Sequence, residues 1–141
     1  MAKVFSIHEI ELHPGVDEQD FERFFLEEVA DVPIYPGWKA YLARSDRGSR
    51  AGKYAVIIEM ESIQARDRYY PSAYQESEEG ERFDRAQPPE IAQIWEKWKT
   101  FAMTTPGDST IHTDYVVVEQ AVRPTDGISS QSESTKRAVE D

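Results

Sequence analysis

The chain has 141 residues, of which 16 are Lys or Arg and 27 are Asp or Glu, and its formal net charge is −11. This length fits one domain with a substantial core. The absence of Cys excludes disulfides, thiolate nucleophiles and Cys-ligated metal centres. The acidity argues against a nucleic-acid partner, because phosphate binding depends on clustered Lys and Arg. No apolar run approaches the roughly 20 residues of a membrane helix, and no signal peptide is evident. We therefore expect a cytoplasmic protein with neither nucleic-acid nor membrane partners.

The first half of the chain predicts a strand, a helix and two further strands. Residues 4–12 mix alternation with β-branched residues, as strands do. Asp17 is placed to cap a helix that runs to about Ala30. The apolar positions of this helix fall on one face: Phe21, Phe24, Phe25 and Val29. Residues 38–44 and 53–61 are the next strands. The second of them alternates most clearly, with these side chains on one side: Tyr54, Val56, Ile58 and Met60.

The second half predicts helices followed by a last strand. Ser62 is placed to cap a short helix that Pro71 stops. Residues 72–88 form a very acidic helical insertion. A longer amphipathic helix follows Pro88-Pro89, and residues 112–120 form the final strand.

The element order gives one domain over residues 1–122 and a tail over 123–141. The tail has no aromatic residue and is rich in Ser, Thr, Gln and charge, so we expect it to be disordered. The order βαββαβ predicts an α+β, ferredoxin-like fold with a four-stranded antiparallel sheet and both main helices on one face. Apolar residues are then left on the other face: Phe5, Ile7, Ile57, Tyr115 and Val117. We expect a second copy to cover them, which predicts a homodimer.

Three motif-like segments accompany this order. They are Pro14-Gly15 before a helix with Phe21 and Phe25, Pro36-Gly37-Trp38 before Tyr41, and strand 54–60 closing on Glu61-Ser62. With them the chain resembles the dimeric α/β-barrel superfamily over roughly residues 4–120. This superfamily includes antibiotic-biosynthesis monooxygenase-like, EthD-like and stress-responsive barrel proteins. The resemblance implies a homodimeric barrel with a small hydrophobic ligand between sheet and helices.

Two residues that the resemblance would carry over are missing. Cofactor-independent monooxygenases and haem-degrading members of the superfamily use an Asn, commonly on the first strand, and this chain has no Asn. EthD-like proteins tend to carry a His near the end of the first helix, where this chain has Leu26-Glu27-Glu28-Val29. The expected function is therefore binding or transformation of a small hydrophobic molecule, either monooxygenase-like or isomerase-like.

The candidate catalytic residues are His8 and Glu59. His8 lies in the middle of the first strand among apolar neighbours, where an imidazole could act as a general base or ligate haem or a metal. The structural alternative is a half-buried His that is hydrogen-bonded to Glu59 or Tyr115. Glu59 could polarise His8 as a buried carboxylate, form an inter-subunit salt bridge to Lys39, Lys53 or Arg44, or simply be exposed near a sheet end.

His112 and Asp114 share one side of the last strand because they are two residues apart. With His8 they could in principle form a two-His, one-carboxylate iron site. A metal is nevertheless not expected, and neither is another cofactor; haem held by His8 is the alternative.

Aromatic residues could line the ligand pocket, or could be ordinary core residues. The candidate pocket residues are Tyr41, Tyr54, Trp95 and Tyr115. The competing hypothesis for the whole protein is a non-catalytic, stress-associated or interaction module whose barrel is fully packed by side chains. The size of the interior cavity discriminates between the two hypotheses.

Overall fold

The structure is a computed structural model, and it describes residues 2–105 and 112–118. Within these residues there are four strands: β1 (Val4–Ile10), β2 (Lys39–Arg44), β3 (Tyr54–Met60) and β4 (His112–Val116). The same residues form four α-helices: α1 (Glu18–Glu27), α2 (Ile63–Asp67), α3 (Glu78–Arg85) and α4 (Glu90–Phe101). Every predicted element is confirmed, with somewhat shorter ends. The end of the predicted last strand, residues 119–120, and the predicted tail, 123–141, lie outside the described residues.

The four strands form one open antiparallel sheet in the order β2-β3-β1-β4. In the register of the central pair, Val4 lies opposite Met60, and on its other side Val4 lies opposite Val116. The two strands that are adjacent in the chain, β2 and β3, pair at the other edge. This α+β architecture is compatible with the ferredoxin-like fold predicted from the order of elements. None of the helices in the described residues combines the length and apolar character needed to cross a membrane.

The main core lies between the sheet and helices α1 and α4. Asp17 caps α1 as predicted, because its Oδ1 accepts a hydrogen bond from the Gln19 backbone N–H at 2.8 Å. Trp98 of α4 is fully buried and meets Phe21 edge-on, with 5.4 Å between ring centroids. The Trp98 indole N–H donates to the Thr104 carbonyl at 2.8 Å, so its one polar atom is satisfied inside the core.

The alternation of β1 gives the sheet two faces. Val4, Ser6, His8 and Ile10 are buried beneath the helices, and the residues between them point to the opposite face. We call the helix side the covered face. Directly opposite residues of paired strands share a face. Since Ser6 lies opposite Asp114 and His8 opposite His112, the covered face carries a polar strip: Ser6, His8, His112 and Asp114.

The opposite side of the sheet, which we call the open face, is largely apolar. The register places these residues on it: Phe5, Ile7, Tyr41, Ile57, Tyr115 and Val117. Tyr41 and Tyr115 are 47% and 60% exposed. The predicted apolar face is therefore confirmed within the described residues.

The acidic insertion packs α3 against the end of α2. Ser62 caps α2 as predicted, since its Oγ accepts from the Ala65 N–H at 3.0 Å. Ser77 caps α3 in the same way, accepting from the Gly80 N–H at 3.1 Å. Gly80 is buried, and a Cβ at this position would come within 2.9 Å of the Tyr69 carbonyl oxygen. This close approach explains why a glycine begins α3 among acidic residues.

Candidate functional site

A cavity of about 710 Å³ lies over the covered face of the sheet. Its walls come from β1, β2, β3 and β4, from the segment that follows α1, and from α2, α3 and α4 with the turns that join them. Most of the lining side chains are apolar or aromatic, including Phe25, Trp38, Ile58, Met60, Ile91 and Trp95. Its volume falls within the range of about 300–1,000 Å³ that is typical of small-molecule sites.

The polar strip of the covered face forms one wall of this cavity. His8 is only 4% exposed, and its Nε2 lies 2.9 Å from Ser6 Oγ. The His8 and His112 rings stack, with 4.8 Å between their centroids. Burial lowers the pKa of His8 to about 4; His112 lowers this pKa further, and the charge of Asp114 opposes that change. His8 is therefore a neutral imidazole at pH 7.

Asp114 links this strip to α2. Its Oδ2 accepts a hydrogen bond from Arg66 Nη1 at 3.1 Å, while Arg66 Nε donates to Asp67 at 2.9 Å. The other oxygen, Oδ1, lies 3.5 Å from His112 Nε2 and is buried with no hydrogen-bond donor. The only cation in the cavity lining that the structure describes, Arg66, is thus already shared between two carboxylates.

A second polar group lines the cavity from the loop and helix side. The Tyr35 hydroxyl donates to Glu76 and lies 3.3 Å from Asp84 Oδ2. Burial, together with the hydrogen bond to Glu76, raises the pKa of Tyr35. Partial burial, reinforced by a hydrogen bond with Glu76, raises the pKa of Asp84 to about 7. The Asp84 carboxyl is therefore partly protonated near pH 7. We call these residues the Tyr35 cluster.

Gln87, at the turn between α3 and α4, presents another incompletely bonded oxygen. Its Nε2 donates to the Phe83 carbonyl at 3.0 Å. Because a carbonyl can only accept, this bond assigns the amide orientation and leaves Oε1 as the remaining acceptor. Oε1 is buried and has no hydrogen-bond donor. The cavity lining therefore contains two buried acceptors without donors, one on Gln87 and one on Asp114.

The structure brings together some of the predicted site residues. His8, Trp95, His112 and Asp114 all line the cavity. Tyr54 lies on the covered face but belongs to the core beside Phe21 rather than to the cavity lining. Its hydroxyl donates to Glu22, and burial, followed by this hydrogen bond, raises the pKa of Tyr54.

Three of the predicted site residues lie on the open face instead: Tyr41, Glu59 and Tyr115. The expected partnership of Glu59 with His8 does not form, because Glu59 lies opposite Phe5, whose side chain points away from the helices. Glu59 accepts hydrogen bonds from Lys3 at 2.7 Å and from Tyr41 at 3.0 Å. Within the chain Glu59 thus pairs with Lys3, and an inter-subunit salt bridge to Lys39, Lys53 or Arg44 stays a prediction. His8 is hydrogen-bonded to Ser6 rather than to Glu59 or Tyr115.

Several cavity residues were not predicted from the sequence. Ser6 was within reach of the sequence, since it shares the parity of His8 on β1. Tyr35 lies in a proline-rich loop, Arg66 in a helix of five residues and Gln87 in a turn, and none of these segments has a long periodic pattern. Their convergence depends on tertiary packing.

The iron-site hypothesis requires three ligands that point to one centre. His8, His112 and Asp114 are neighbours, but the imidazole rings stack face to face with only 15° between their planes. The described residues contain no group of three or more His, Asp or Glu placed to hold a metal ion. The three residues therefore do not form the two-His, one-carboxylate arrangement that the iron-site hypothesis requires.

Fold and site together define an α+β domain with a ligand-sized cavity on the covered face of its sheet. No family model, curated protein or solved structure matches the chain. The cavity and its polar groups are therefore the features that bear on function.

Proposed function

We propose that the protein binds a small, largely hydrophobic molecule in the cavity and transforms it by proton transfer, with His8 as the acid–base group. The observation that carries this proposal is a buried, neutral imidazole in the wall of a mostly apolar cavity of about 710 Å³. A buried titratable group with a shifted pKa in the wall of a cleft is a candidate functional residue, which supports this role for His8.

The proposed chemistry is isomerase-like. A neutral His8 accepts a proton from a carbon next to a carbonyl group, and the imidazolium then returns the proton to another carbon of the same molecule. The charge of Asp114 favours the imidazolium form, so it stabilises the state in which His8 carries the proton. The Ser6 hydroxyl, 2.9 Å from Nε2, orients the ring.

The alternatives to proton transfer are oxygenation, a fully packed barrel and haem binding. The missing Asn favours proton transfer over cofactor-independent oxygenation. The open cavity favours a ligand over a barrel that is fully packed by side chains. A haemin titration tests the haem alternative, since a Soret shift that His8→Gln abolishes would favour haem binding over proton transfer.

We further propose that the protein is a homodimer built on the open face, as the resemblance to dimeric α/β-barrel proteins implies. A two-fold dimer places the same patch of both subunits in contact, so an apolar patch is matched by another apolar patch. Phe5, Ile7 and Ile57 are the centre of that patch. The mass in solution tests this: a value near twice 16.2 kDa supports the dimer, and a monomer of 16.2 kDa contradicts it.

Proton transfer can be tested with 1-tetralone, an apolar bicyclic ketone. Its α-proton exchange in D₂O is followed by NMR with the wild type, with His8→Gln and with His13→Gln. His13 is the matched control, because it lies outside the cavity and bonds the Lys99 carbonyl. We expect wild type and His13→Gln to accelerate exchange, and His8→Gln to lose about 100-fold of that acceleration.

Binding of 1-tetralone is measured separately, by quenching of the fluorescence of Trp38 and Trp95 in the cavity wall. Binding without His8-dependent exchange would contradict the proton-transfer chemistry and leave the ligand site intact. Absence of binding would contradict both.

A further inference from the structure

We propose that the ligand of this cavity is an uncharged molecule with an apolar, ring-sized body and a hydroxyl or N–H group that donates to Gln87 Oε1 or to Asp114 Oδ1. This inference rests on the proposed function, because it names the class of molecule that the cavity takes. It is carried by the two acceptors in the cavity lining that have no donor.

Buried polar atoms in folded proteins almost always have a hydrogen-bond partner. An acceptor left without one loses its hydration and gains nothing in return. Here two such oxygens belong to the lining of one cavity, on different elements: Gln87 lies between α3 and α4, and Asp114 lies on β4. Both residues line the cavity, so a molecule bound there that supplies a donor could satisfy either oxygen once that oxygen turns toward it.

Both oxygens are able to turn toward a ligand. The terminal torsions of Asp and Gln side chains are soft, so a small rotation moves an oxygen without disturbing the backbone. Gln87 is held by one bond, from its Nε2 to the Phe83 carbonyl, and Asp114 by the bond from Arg66 to its other oxygen. Neither of these bonds occupies the acceptor in question.

The charges around the cavity oppose an anionic ligand. Its charged lining residues are Arg66, Asp84 and Asp114, and Arg66 is paired with both Asp67 and Asp114. A carboxylate entering this space would meet acceptors and carboxyl groups rather than a free cation. A neutral donor, by contrast, matches Gln87 and Asp114.

Three probes with one bicyclic body separate these possibilities: 2-naphthol, which can donate; 2-methoxynaphthalene, which cannot; and 2-naphthoate, which is an anion. Their dissociation constants for the full chain are measured by calorimetry at pH 7. We expect 2-naphthol to bind about tenfold more tightly than 2-methoxynaphthalene, as for one net hydrogen bond, and 2-naphthoate to bind more weakly than either.

Isosteric variants identify which oxygen accepts the hydrogen bond from the ligand. Gln87→Met removes the amide oxygen, and Asp114→Asn replaces an acceptor by an NH₂ group. The variant that removes the acceptor used by the 2-naphthol hydroxyl is expected to lower the affinity for 2-naphthol about tenfold, and both variants are expected to leave the affinity for 2-methoxynaphthalene unchanged. Gln64→Met is the control, because Gln64 is exposed and outside the cavity lining. Thermal melting checks that each variant is folded. If one variant is unfolded, the comparison of the three probes on the wild-type protein still tests the inference.

The outcomes distinguish this inference from the function on which it rests. Equal affinities for 2-naphthol and 2-methoxynaphthalene would overturn the donor inference while cavity binding stands. Tightest binding of 2-naphthoate, or a preference for 2-naphthol that survives both variants, would overturn it as well. Failure of all three probes to bind would overturn the proposed function itself.

Discussion

The two faces of the sheet reverse the usual distribution of polarity. The covered face, beneath the helices, carries Ser6 and His8 in β1, and both are buried. The open face carries Ile7 and Ile57 with two exposed tyrosines. Buried polar residues and exposed apolar patches are the informative departures from the ordinary pattern. The sheet thus has buried polar groups beneath its helices and exposed apolar side chains on its opposite side, and each departure points to a different kind of contact.

The largest expected effect comes from putting a charge on either side of β1. Ile10 is 1% exposed on the covered face, so Ile10→Asp is expected to cost about 4 kcal/mol or more and to unfold the protein. Ile7→Asp, on the open face, is expected to keep the fold and convert the dimer to a monomer. Circular dichroism and light scattering check both variants. A folded Ile7→Asp dimer would show that the open face is not the interface.

Acid is expected to destabilise the covered face through His8. Its pKa is lowered from the ordinary 6.5 to about 4 by burial, so between these values the unfolded chain binds a proton that the native state does not. The contribution of the neutral His8 to the free energy of unfolding is complete above pH 6.5 and is lost as the pH falls toward 4. Between pH 7.5 and 5 the wild type should lose about 2 kcal/mol more than His8→Gln. Urea unfolding at both pH values measures this; parallel losses would contradict the buried, neutral imidazole.

The Tyr35 cluster on the other side of the cavity is expected to respond to pH with the opposite sign. The pKa of Asp84 is raised from 3.8 to about 7, because its carboxyl is partly buried and bonded to Glu76. The native state therefore holds a proton that the unfolded chain releases, and this stabilisation is lost as the pH rises through 7. Asp84→Asn should flatten the fall in stability between pH 5 and 7.5, by less than the His8 effect because solvent screens the partly buried Asp84 carboxyl. An unchanged slope would contradict the raised pKa of Asp84.

The smallest effects distinguish the ion pairs of the two faces. Arg66→Gln on the covered side leaves Asp114 without its cation and is expected to cost about 1 kcal/mol in urea unfolding. Lys3→Gln on the open side leaves Glu59 with water and Tyr41, and no change is expected in the isolated subunit. A larger loss for Lys3→Gln that disappears on dilution would show that the dimer covers the pair.

The elements of the fold could be predicted because their patterns are local. The alternation from Tyr54 to Met60 and the apolar face of Phe21, Phe24 and Phe25 correspond to buried surfaces in the structure. Cap residues such as Asp17 and Ser62 act within three residues of their own position. Short-range interactions of this kind are written into the sequence itself.

The candidate site was predicted in part, and the failures have one cause. Tyr41 and Tyr115 lie on the open face because the strand register directs them there, and an error of one residue in register moves a side chain to the other face. Glu59 was paired with His8 because both were expected near the middle of neighbouring strands, whereas alternation in β1 and β3 places the two on opposite sides of the sheet.

The sequence by itself determined the elements, the common side of Ser6 and His8, and the apolar character of the second face, since each depends on residues close together in the chain. Only the tertiary structure decided that this side borders a cavity. It also decided that Tyr35, Arg66 and Gln87 complete the lining. The physical reason is distance along the chain: these residues come from separate loops and helices, and packing alone brings them together.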